Sequence, residues 1–314
     1  MNYPKQTPLV SIVTPSYNQG KYLEDTILSV LSQDYVPIEY LIIDGGSTDS
    51  SVEIIRKYSD QIIYWETQPD RGQAHAINKG LIKAKGEILG WLNADDLLLP
   101  ETVSRVVDRF EAHPEIDVIY GRLQRINEFG KLIPTPELPK DRITFGTSKV
   151  VGECIVNQPG AFWNREIMEM VGLLNEDLHF SLDYEYWIRM ALAGARFMRI
   201  PEVVAWFRLD QGSKTVSRTT EMAVEQLSVL DELLKTPGLS EMLAIPSSEL
   251  SKQADRTRAN IQLHAFYGAL KRHKWNNAWH WFWKANRSYP FVVMQRRWFD
   301  LALAGLARRA RYSR

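Results

Sequence analysis

The sequence predicts an α/β fold, an open and mostly parallel sheet flanked by helices, followed by a helical C-terminal extension. Three observations carry this expectation. Residues 1–125 alternate short β-branched runs with segments of helical period, the rhythm of strands joined by crossover helices. The strand runs read as continuous, predominantly apolar stretches instead of alternating, as strands covered on both faces do. From about residue 219 onward the apolar positions keep helical spacing and no strand run returns.

The first strand run is 9–13, and Tyr22, Leu23, Ile27, Val30 and Leu31 after it share one helical face. A second run at 40–43 is followed by Val52, Ile55 and Tyr58. A third at 62–66 precedes Ile77, Leu81 and Ala84, and a fourth at 88–92 precedes Val103, Val106, Val107 and Phe110. Four such pairs wind right-handed, and sheets of this kind bind ligands beyond the carboxyl ends of their strands. A fifth run at 118–120 leads into a connection containing Pro134, Pro136 and Pro139. A helix over 184–193 and strands at 196–199 and 203–207 then complete the sheet and a second wall of the cleft. The expected division is an α/β domain over 1–218 and a helical, basic, Trp-rich extension over 219–314.

Composition narrows the class. The chain has 314 residues, 45% of them hydrophobic, which excludes a disordered chain and suffices for one large domain with an appendage. Its single cysteine, Cys154, forms no internal disulfide, no Cys/His cluster has zinc spacing, and a reducing compartment fits best. The polar N-terminus, broken by Pro4 and Pro8, does not read as a secretory signal. The apolar stretch 301–307 is far short of the roughly 20 residues of a membrane span, so a soluble or peripheral protein is expected.

Net charge is zero, with 38 Lys and Arg against 38 Asp and Glu, but the distribution is uneven. Residues 251–314 carry 14 basic groups against two acids, Asp255 and Asp300, a net +12 that leaves −12 on the first 250.

Polar residues collect where the strands should end. The first strand runs into Thr14-Pro15-Ser16-Tyr17-Asn18, the second into Asp44-Gly45-Gly46-Ser47-Thr48-Asp49, and the fourth into Asn93-Ala94-Asp95-Asp96. Each alone has a structural reading: Asn18, Thr48 or Asp49 can cap the following helix, and Gly45-Gly46 permits a tight turn. Jointly they would line one crevice. Asp95 and Asp96 are the sharpest pair, because adjacent carboxylates repel and a turn requires only one. A hard divalent ion such as Mg²⁺ or Mn²⁺ would account for both, and would neutralise a diphosphate leaving group.

The three motifs, from Leu9 to Asn18, from Ile43 to Asp49 and from Gly86 to Asp96, resemble successive nucleotide-sugar-binding motifs of family 2 glycosyltransferases. The resemblance extends to about residue 215. It implies the GT-A fold, a divalent metal, a nucleoside-diphosphate sugar donor and inversion at the anomeric centre, with residues 1–218 as the catalytic domain. Carried onto this sequence, it implies that Tyr17 and Asp44 contact the nucleoside, Asp44 at the base, and that Asp95 reaches the ribose or diphosphate. Asp96 binds the metal, Pro15 shapes the first turn, and Arg71 lies near the nucleotide. Asn18 and Asn93 complete the expected donor set. Gly45 departs from the second Asp that many members carry.

For the catalytic base, the family's acidic pair before a helix matches Ser181-Leu182-Asp183-Tyr184-Glu185. Leu182 replaces the first acid, leaving Asp183 as the base that takes the acceptor proton. Asp183 also reads as a helix N-cap, and Glu185 is the reserve candidate. Residues 157–162 match a segment that borders the acceptor, and 206–215 match the mobile segment after the last core strand, with Asp210 where many members have His. Asp210 reads as a surface acid or a metal ligand. Arg208 and Lys214 read as solvated surface or as partners of phosphate on closure. His75 and His113 receive no catalytic role.

Trp275, Trp279, Trp281, Trp283 and Trp298 lie among the basic residues of the tail, with Arg296, Arg297, Arg308, Arg309, Arg311 and Arg314. Cationic helices with Trp bind anionic membrane surfaces, while the same pattern also describes aromatic packing beneath solvated arginines, or a protein partner. Nucleic acid is not expected, because the α/β domain is acidic and phosphate tracking wants a continuous basic path. A glycan or lipid-linked acceptor in cell-surface polysaccharide or glycolipid assembly, and a cytoplasmic site peripheral to the membrane, follow from the resemblance. Competing readings are a sugar nucleotidyltransferase, whose glycine-rich basic loop is missing here, a glycosidase, and an inactive nucleotide-sugar-binding subunit, which the Leu182 and Asp210 departures would favour.

Overall fold

The computed structural model describes residues 7–135, 156–210 and 212–290. The chain falls into two compact units, Met1–Ser213 and Lys214–Arg314.

The first unit opens with β1 (Val10–Ser16), α1 (Leu23–Leu31), β2 (Ile38–Asp44), α2 (Ser51–Lys57), β3 (Tyr64–Thr67), α3 (Gln73–Lys83) and β4 (Ile88–Trp91). The strands lie in the order β3-β2-β1-β4, all parallel. Their continuous apolar sequence has a direct cause: alternate side chains enter two different cores. Val10, Ile12, Tyr40 and Ile42 pack on the face covered by Leu23, Ile27 and Val30 of α1. Val13, Leu41 and Ile43 pack on the opposite face with Ala74, Ile77 and Leu81 of α3. Gly80 lets α3 approach closely, since a Cβ there would lie 2.3 Å from a methyl of Val13.

The register fixes where the polar turns emerge. Ser16 pairs with Asp44 across β1 and β2, and Val13 pairs with Trp91 across β1 and β4. The segments after β1, β2 and β4 therefore leave one carboxyl edge of the sheet together.

The rest of the unit comprises β5 (Leu97–Leu98), α4 (Thr102–Ala112), β6 (Val118–Asn127), β7 (Leu132–Ile133), β8 (Ala161–Asn164), α5 (Arg165–Val171), α6 (Leu182–Leu192) and β9 (Phe197–Leu209). The sheet continues β4-β8-β6-β9-β5, with β7 against β6. Here β8 is antiparallel to both β4 and β6, β6 and β9 are parallel, and β5 is antiparallel to β9. The runs expected at 196–199 and 203–207 are one strand, and β6 continues to Asn127, with its register on β9 shifting around Tyr120 and Arg122. Gly121 and Gly160 close on Val204 there, where an added Cβ would meet its methyl at 2.3 and 2.4 Å respectively. Three strands were not expected. Two residues, as in β5 and β7, show no periodicity, and Ala-Phe-Trp-Asn of β8 has no β-branched residue.

The second unit is helical: α7 (Lys214–Ser217), α8 (Thr219–Leu233), α9 (Leu239–Met242), α10 (Ser247–Lys271) and α11 (Trp275–Ser288). α10 packs on both α8 and α11. Arg272, just past α10, donates to the Ser217 carbonyl and the Thr219 hydroxyl at the start of α8. Among the described residues no helix is long and apolar enough to cross a membrane. Cys154, Pro136, Pro139, Trp298, the 301–307 stretch and the arginines from Arg296 onward lie outside the described residues.

Candidate active site

The turns after β1 and β2 are fastened to each other. Asn18 sits in the left-handed region at φ 52°, where Asn is tolerated. Its backbone N–H donates to Ser47 Oγ at 2.7 Å, and its Oδ1 accepts the Thr48 N–H at 2.9 Å. Asp49 accepts the Gly20 N–H at 2.8 Å on one oxygen and the Ser51 N–H, the first of α2, at 3.0 Å on the other. Burial alone would raise the Asp49 carboxyl, but the Ser51 and Gly20 donors outweigh it and hold it below its ordinary value. Asn18 is thus a tie between two turns. The Tyr17 ring beside it is 62% exposed.

Asp44, the last residue of β2, is completely buried. One oxygen accepts the Gly46 and Ser47 backbone N–H groups at 3.1 and 2.8 Å and the Thr67 hydroxyl at 2.8 Å, and the other accepts the Ser47 hydroxyl at 2.6 Å. A carboxylate offers about four acceptor sites, so Asp44 has nearly all of its capacity committed to shaping its own turn. Gly45 faces Asp70, whose carboxylate would lie 2.6 Å from a Cβ at that position. The acid missing from position 45 is matched by an acid approaching from the 69–72 turn.

The turn after β4 separates Asp95 from Asp96. Asp96 is fully buried, with one oxygen accepting the backbone N–H of Arg208 at 3.0 Å and the other the Asn93 amide at 3.3 Å. Burial first, then the neighbouring Asp95 charge, push its carboxyl well above the ordinary value. Asn93 also donates to Gln158 Oε1 at 2.9 Å and accepts from Gln73 at 2.8 Å, while Gln158 donates to the Trp91 carbonyl at 2.8 Å. These amides join the end of β4, the start of α3 and the Gln158–Gly160 turn just before β8. Asp95 is the partly exposed member of the pair. Burial also raises its carboxyl, Asp210 adds to the rise, and Arg208 and its own backbone amide oppose it.

Arg208 differs from both sequence readings. Its side chain is 2% exposed. The guanidinium donates to the Asp95 carbonyl at 2.9 Å, pairs with Asp25 at 3.3 Å and lies 4.5 Å from the centre of the Tyr22 ring. Asp210 is no free surface acid. It accepts the Tyr22 hydroxyl and pairs with Lys21 at 3.3 Å, and these donors hold its carboxyl below the ordinary value.

Asp183 lies in the first turn of α6, whose N-cap position is Ser181, and accepts the Tyr184 N–H at 2.8 Å. Glu185 is committed elsewhere: Arg189 holds both its oxygens at 2.6 and 3.0 Å while donating to the Val171 and Leu173 carbonyls. α6 is anchored by Trp187, whose ring stacks on Trp91 at 5.6 Å and 4°. Trp163 and Tyr186 pack edge-on and tilted around the pair. The same aromatic cluster thus fixes the strand that ends at the Asn93–Asp96 turn and the helix that begins at Asp183. Arg71 ion-pairs with Glu176 and is 70% exposed, and its backbone N–H reaches His75 at 3.1 Å. Pro15 is buried within β1.

Gln73 and Asp70 did not stand out in the sequence, and Tyr22 did so only as part of an apolar helical face, with no role at the site. Gln158 did so only as part of the 157–162 segment. Nothing local marks any of them, because their partners come from other elements of the fold.

Among the described residues no group of three His, Cys, Asp or Glu side chains is arranged to hold a metal. The donor set suits an ion bound in another way, as Mg²⁺ often is, by one or two carboxylates completed by phosphate oxygens and water. Each oxygen of Asp96 accepts one hydrogen bond, while among the described residues no side-chain donor reaches the Asp95 carboxylate.

Comparisons with known proteins agree with this architecture. A family model described as glycosyl transferase family 2 matches residues 11–169. An uncharacterized glycosyltransferase of Rickettsia felis is 28% identical over 226 residues, which cover 68% of this chain and 36% of that one. An Escherichia coli protein named chondroitin synthase is 25% identical over 265 residues, 82% of this chain and 37% of that one. The chain spans about a third of the length of several relatives it matches. Among solved structures, S. aureus TarS in complex with UDP-GlcNAc superimposes with TM-score 0.63 at 15% identity, covering 90% of this chain and 91% of that one. Mannosyltransferase PcManGT from Pyrobaculum calidifontis, in complex with GDP-Man and Mn²⁺, does so with TM-score 0.62 at 18% identity, covering 92% and 88%. The first unit has the GT-A-type fold of these proteins, and the chain belongs to glycosyl transferase family 2.

Proposed function

We propose that this chain transfers a sugar from a nucleoside-diphosphate sugar to an acceptor hydroxyl, with Mg²⁺ or Mn²⁺ and with inversion of the anomeric centre. The observation that carries the reading is the convergence at one sheet edge of exposed Tyr17, the Asp44 turn and partly exposed Asp95, with Asp183 tied to the same edge through the Trp91 and Trp187 stack. The nucleotide sugars bound to the solved neighbours support the choice of donor.

In this reading Tyr17 lays its ring on the nucleoside base, and Asp44 holds the turn that borders it. Arg71 meets the nucleotide after leaving Glu176. Asp95 would hold the ion in place of the Asp96 that the resemblance implies, and Asp96 holds β9 to the turn through the Arg208 amide. When bound there, the ion would supply charge that stabilises the departing diphosphate. Asp183 takes the acceptor proton as the hydroxyl oxygen bonds to the anomeric carbon, and the bond to the diphosphate breaks on the opposite face with its electron pair leaving on phosphate oxygen. The acceptor is a glycan or lipid-linked hydroxyl in cell-surface polysaccharide or glycolipid assembly on the cytoplasmic side; the E. coli relative named chondroitin synthase supports only the glycan part of this reading.

A panel of nucleoside-diphosphate sugars, scored for release of the nucleoside diphosphate with and without Mn²⁺, tests the reading. Metal-dependent release that falls at least about a hundredfold in Asp95→Asn and Asp183→Asn is expected. No release from any donor, or full release in both variants, would overturn it.

A further inference from the structure

Trp275, Trp279 and Trp283 of α11 are 51%, 56% and 67% exposed. Their spacing of four residues puts them on one side of the helix. The other side buries Ala278, Trp281 and Ala285, the last of these in a cluster with Ala259 and Leu263 of α10. Phe282 braces the exposed rings, lying 5.5 Å from Trp279, 5.8 Å from Trp283 and 5.5 Å from Phe266 of α10. Three large apolar rings in a row on a braced helix form a contiguous exposed patch, which water-soluble surfaces rarely keep without a use.

Charge narrows what can cover it. Residues 256–290 contain seven Lys and Arg and no acid. Arg258 pairs with Asp231, and Arg272 is engaged with the start of α8. Lys271, Lys274, Lys284 and Arg287 have no ion pair among the described residues, and Arg287 follows Trp283 by one turn. Residues 291–314 add six arginines and one acid, so that segment would bring like charge onto the patch, as would a second copy of the same face. The occupant has to be anionic and apolar at once. Single-stranded nucleic acid is anionic, but it is held in positively charged grooves, whereas α11 presents a convex ridge of Trp flanked by cations.

We propose that the outer face of α11 docks on an anionic phospholipid surface, with the helix in the interface plane and Trp275, Trp279 and Trp283 at headgroup depth. This does not rest on the sugar-transfer reading. Trp rings favour that depth, and cations beside them add attraction to acidic headgroups.

The test is co-sedimentation of the full chain with phosphatidylcholine vesicles and with vesicles containing about one-third phosphatidylglycerol. Binding to the anionic vesicles alone is expected, weakening as salt rises from about 0.1 M to about 1 M and the Debye length shrinks from about 10 Å to about 3 Å. Trp279→Ala with Trp283→Ala should lower the partition coefficient about tenfold or more with an unchanged melting temperature, since both rings are exposed. Lys271→Gln with Lys274→Gln and Arg287→Gln should lower it by a similar factor at low salt. Equal binding of the double Trp variant and the wild type would overturn the proposal, as would equal binding to both vesicle types. It would also fall if the wild type is a dimer that the Trp variant converts to monomer without vesicle binding, or if it binds an oligonucleotide through these Trp residues but no vesicle.

Discussion

Trp91 and Trp187 stack in parallel, 5.6 Å between ring centres and 4° between planes, and this contact ties the end of β4 to α6. Trp91 precedes Asn93 by two residues and Trp187 follows Asp183 by four. The spacing between the Asn93–Asp96 turn and the first turn of α6 is therefore set by two buried rings and not by loops. Trp187→Ala should cost about 3–5 kcal/mol, as the loss of a large buried ring does, and should reduce donor turnover with it. Urea unfolding followed by circular dichroism reads the first effect. Stability within about 0.5 kcal/mol of wild type would mean that the stack does not hold α6 in place.

Asp95 and Asp96 should separate under the same substitution. Asp96→Asn keeps an acceptor for the Arg208 amide, but sets its own NH₂ group against the half-buried Asn93 amide donor unless one of them rotates. A melting temperature several degrees lower is expected, from a cost of about 1–3 kcal/mol. Asp95→Asn removes a partly exposed charge that no side-chain donor among the described residues holds, so its melting temperature should stay near wild type or rise. Differential scanning fluorimetry with and without Mn²⁺ provides the comparison. The metal should raise the melting temperature of wild type and of Asp96→Asn, and leave Asp95→Asn unmoved. The assignment fails if Mn²⁺ stabilises Asp95→Asn as much as wild type.

The part of the fold legible in the sequence is the part governed by local pattern. Continuous apolar runs at β1, β2 and β4 are visible because both faces of the sheet are covered there. β8 is invisible because its four residues, Ala161–Asn164, are too few to show a period and include no β-branched residue, and they are held by two antiparallel neighbours. Within the site, Asp95 and Asp96 stand out together in the sequence, but which of them points inward depends on a backbone N–H from β9, 112 residues away. Arg208 looks like a surface cation for the same reason. The Tyr22 ring and the Asp95 carbonyl that enclose it come from other elements. Local chemistry nominates residues, and tertiary contacts assign their roles.

Arg208→Ala should therefore behave as a core mutation. The guanidinium is buried, with a hydrogen bond to the Asp95 carbonyl, an ion pair to Asp25 and a stacking contact on Tyr22. Because Asp25 is mostly in water, the cost should fall near the lower end for breaking a buried pair, roughly 3 kcal/mol. Arg208→Lys keeps the charge but loses the planar fork that serves the carbonyl and Asp25 at once, so it should recover only part of this. Urea midpoints of the two variants measure both effects. A loss below about 0.5 kcal/mol in Arg208→Ala would contradict the burial argument.

The acid limb of stability should carry a contribution from β3. Burial tends to raise the Glu66 carboxyl, but the ion pair with Lys79 of α3 and the Tyr64 hydroxyl at 2.5 Å more than offset it, so its folded pKa lies below the ordinary 4.5. A group whose pKa is depressed on folding stabilises in its ionised form. The contribution is complete above about the ordinary value and disappears as pH falls through the folded one. Thr67, next to Glu66, donates to Asp44, so loosening β3 from α3 also loosens the support of the Asp44 turn. Glu66→Gln should cost about 1 kcal/mol at neutral pH, since both partners are largely shielded from water, and should flatten the fall in stability on acidification. Thermal melts of wild type and variant across the acid range measure the difference. It should narrow as pH drops below the ordinary carboxylate value, and a difference that stays constant with pH would show that the Glu66 charge plays no part.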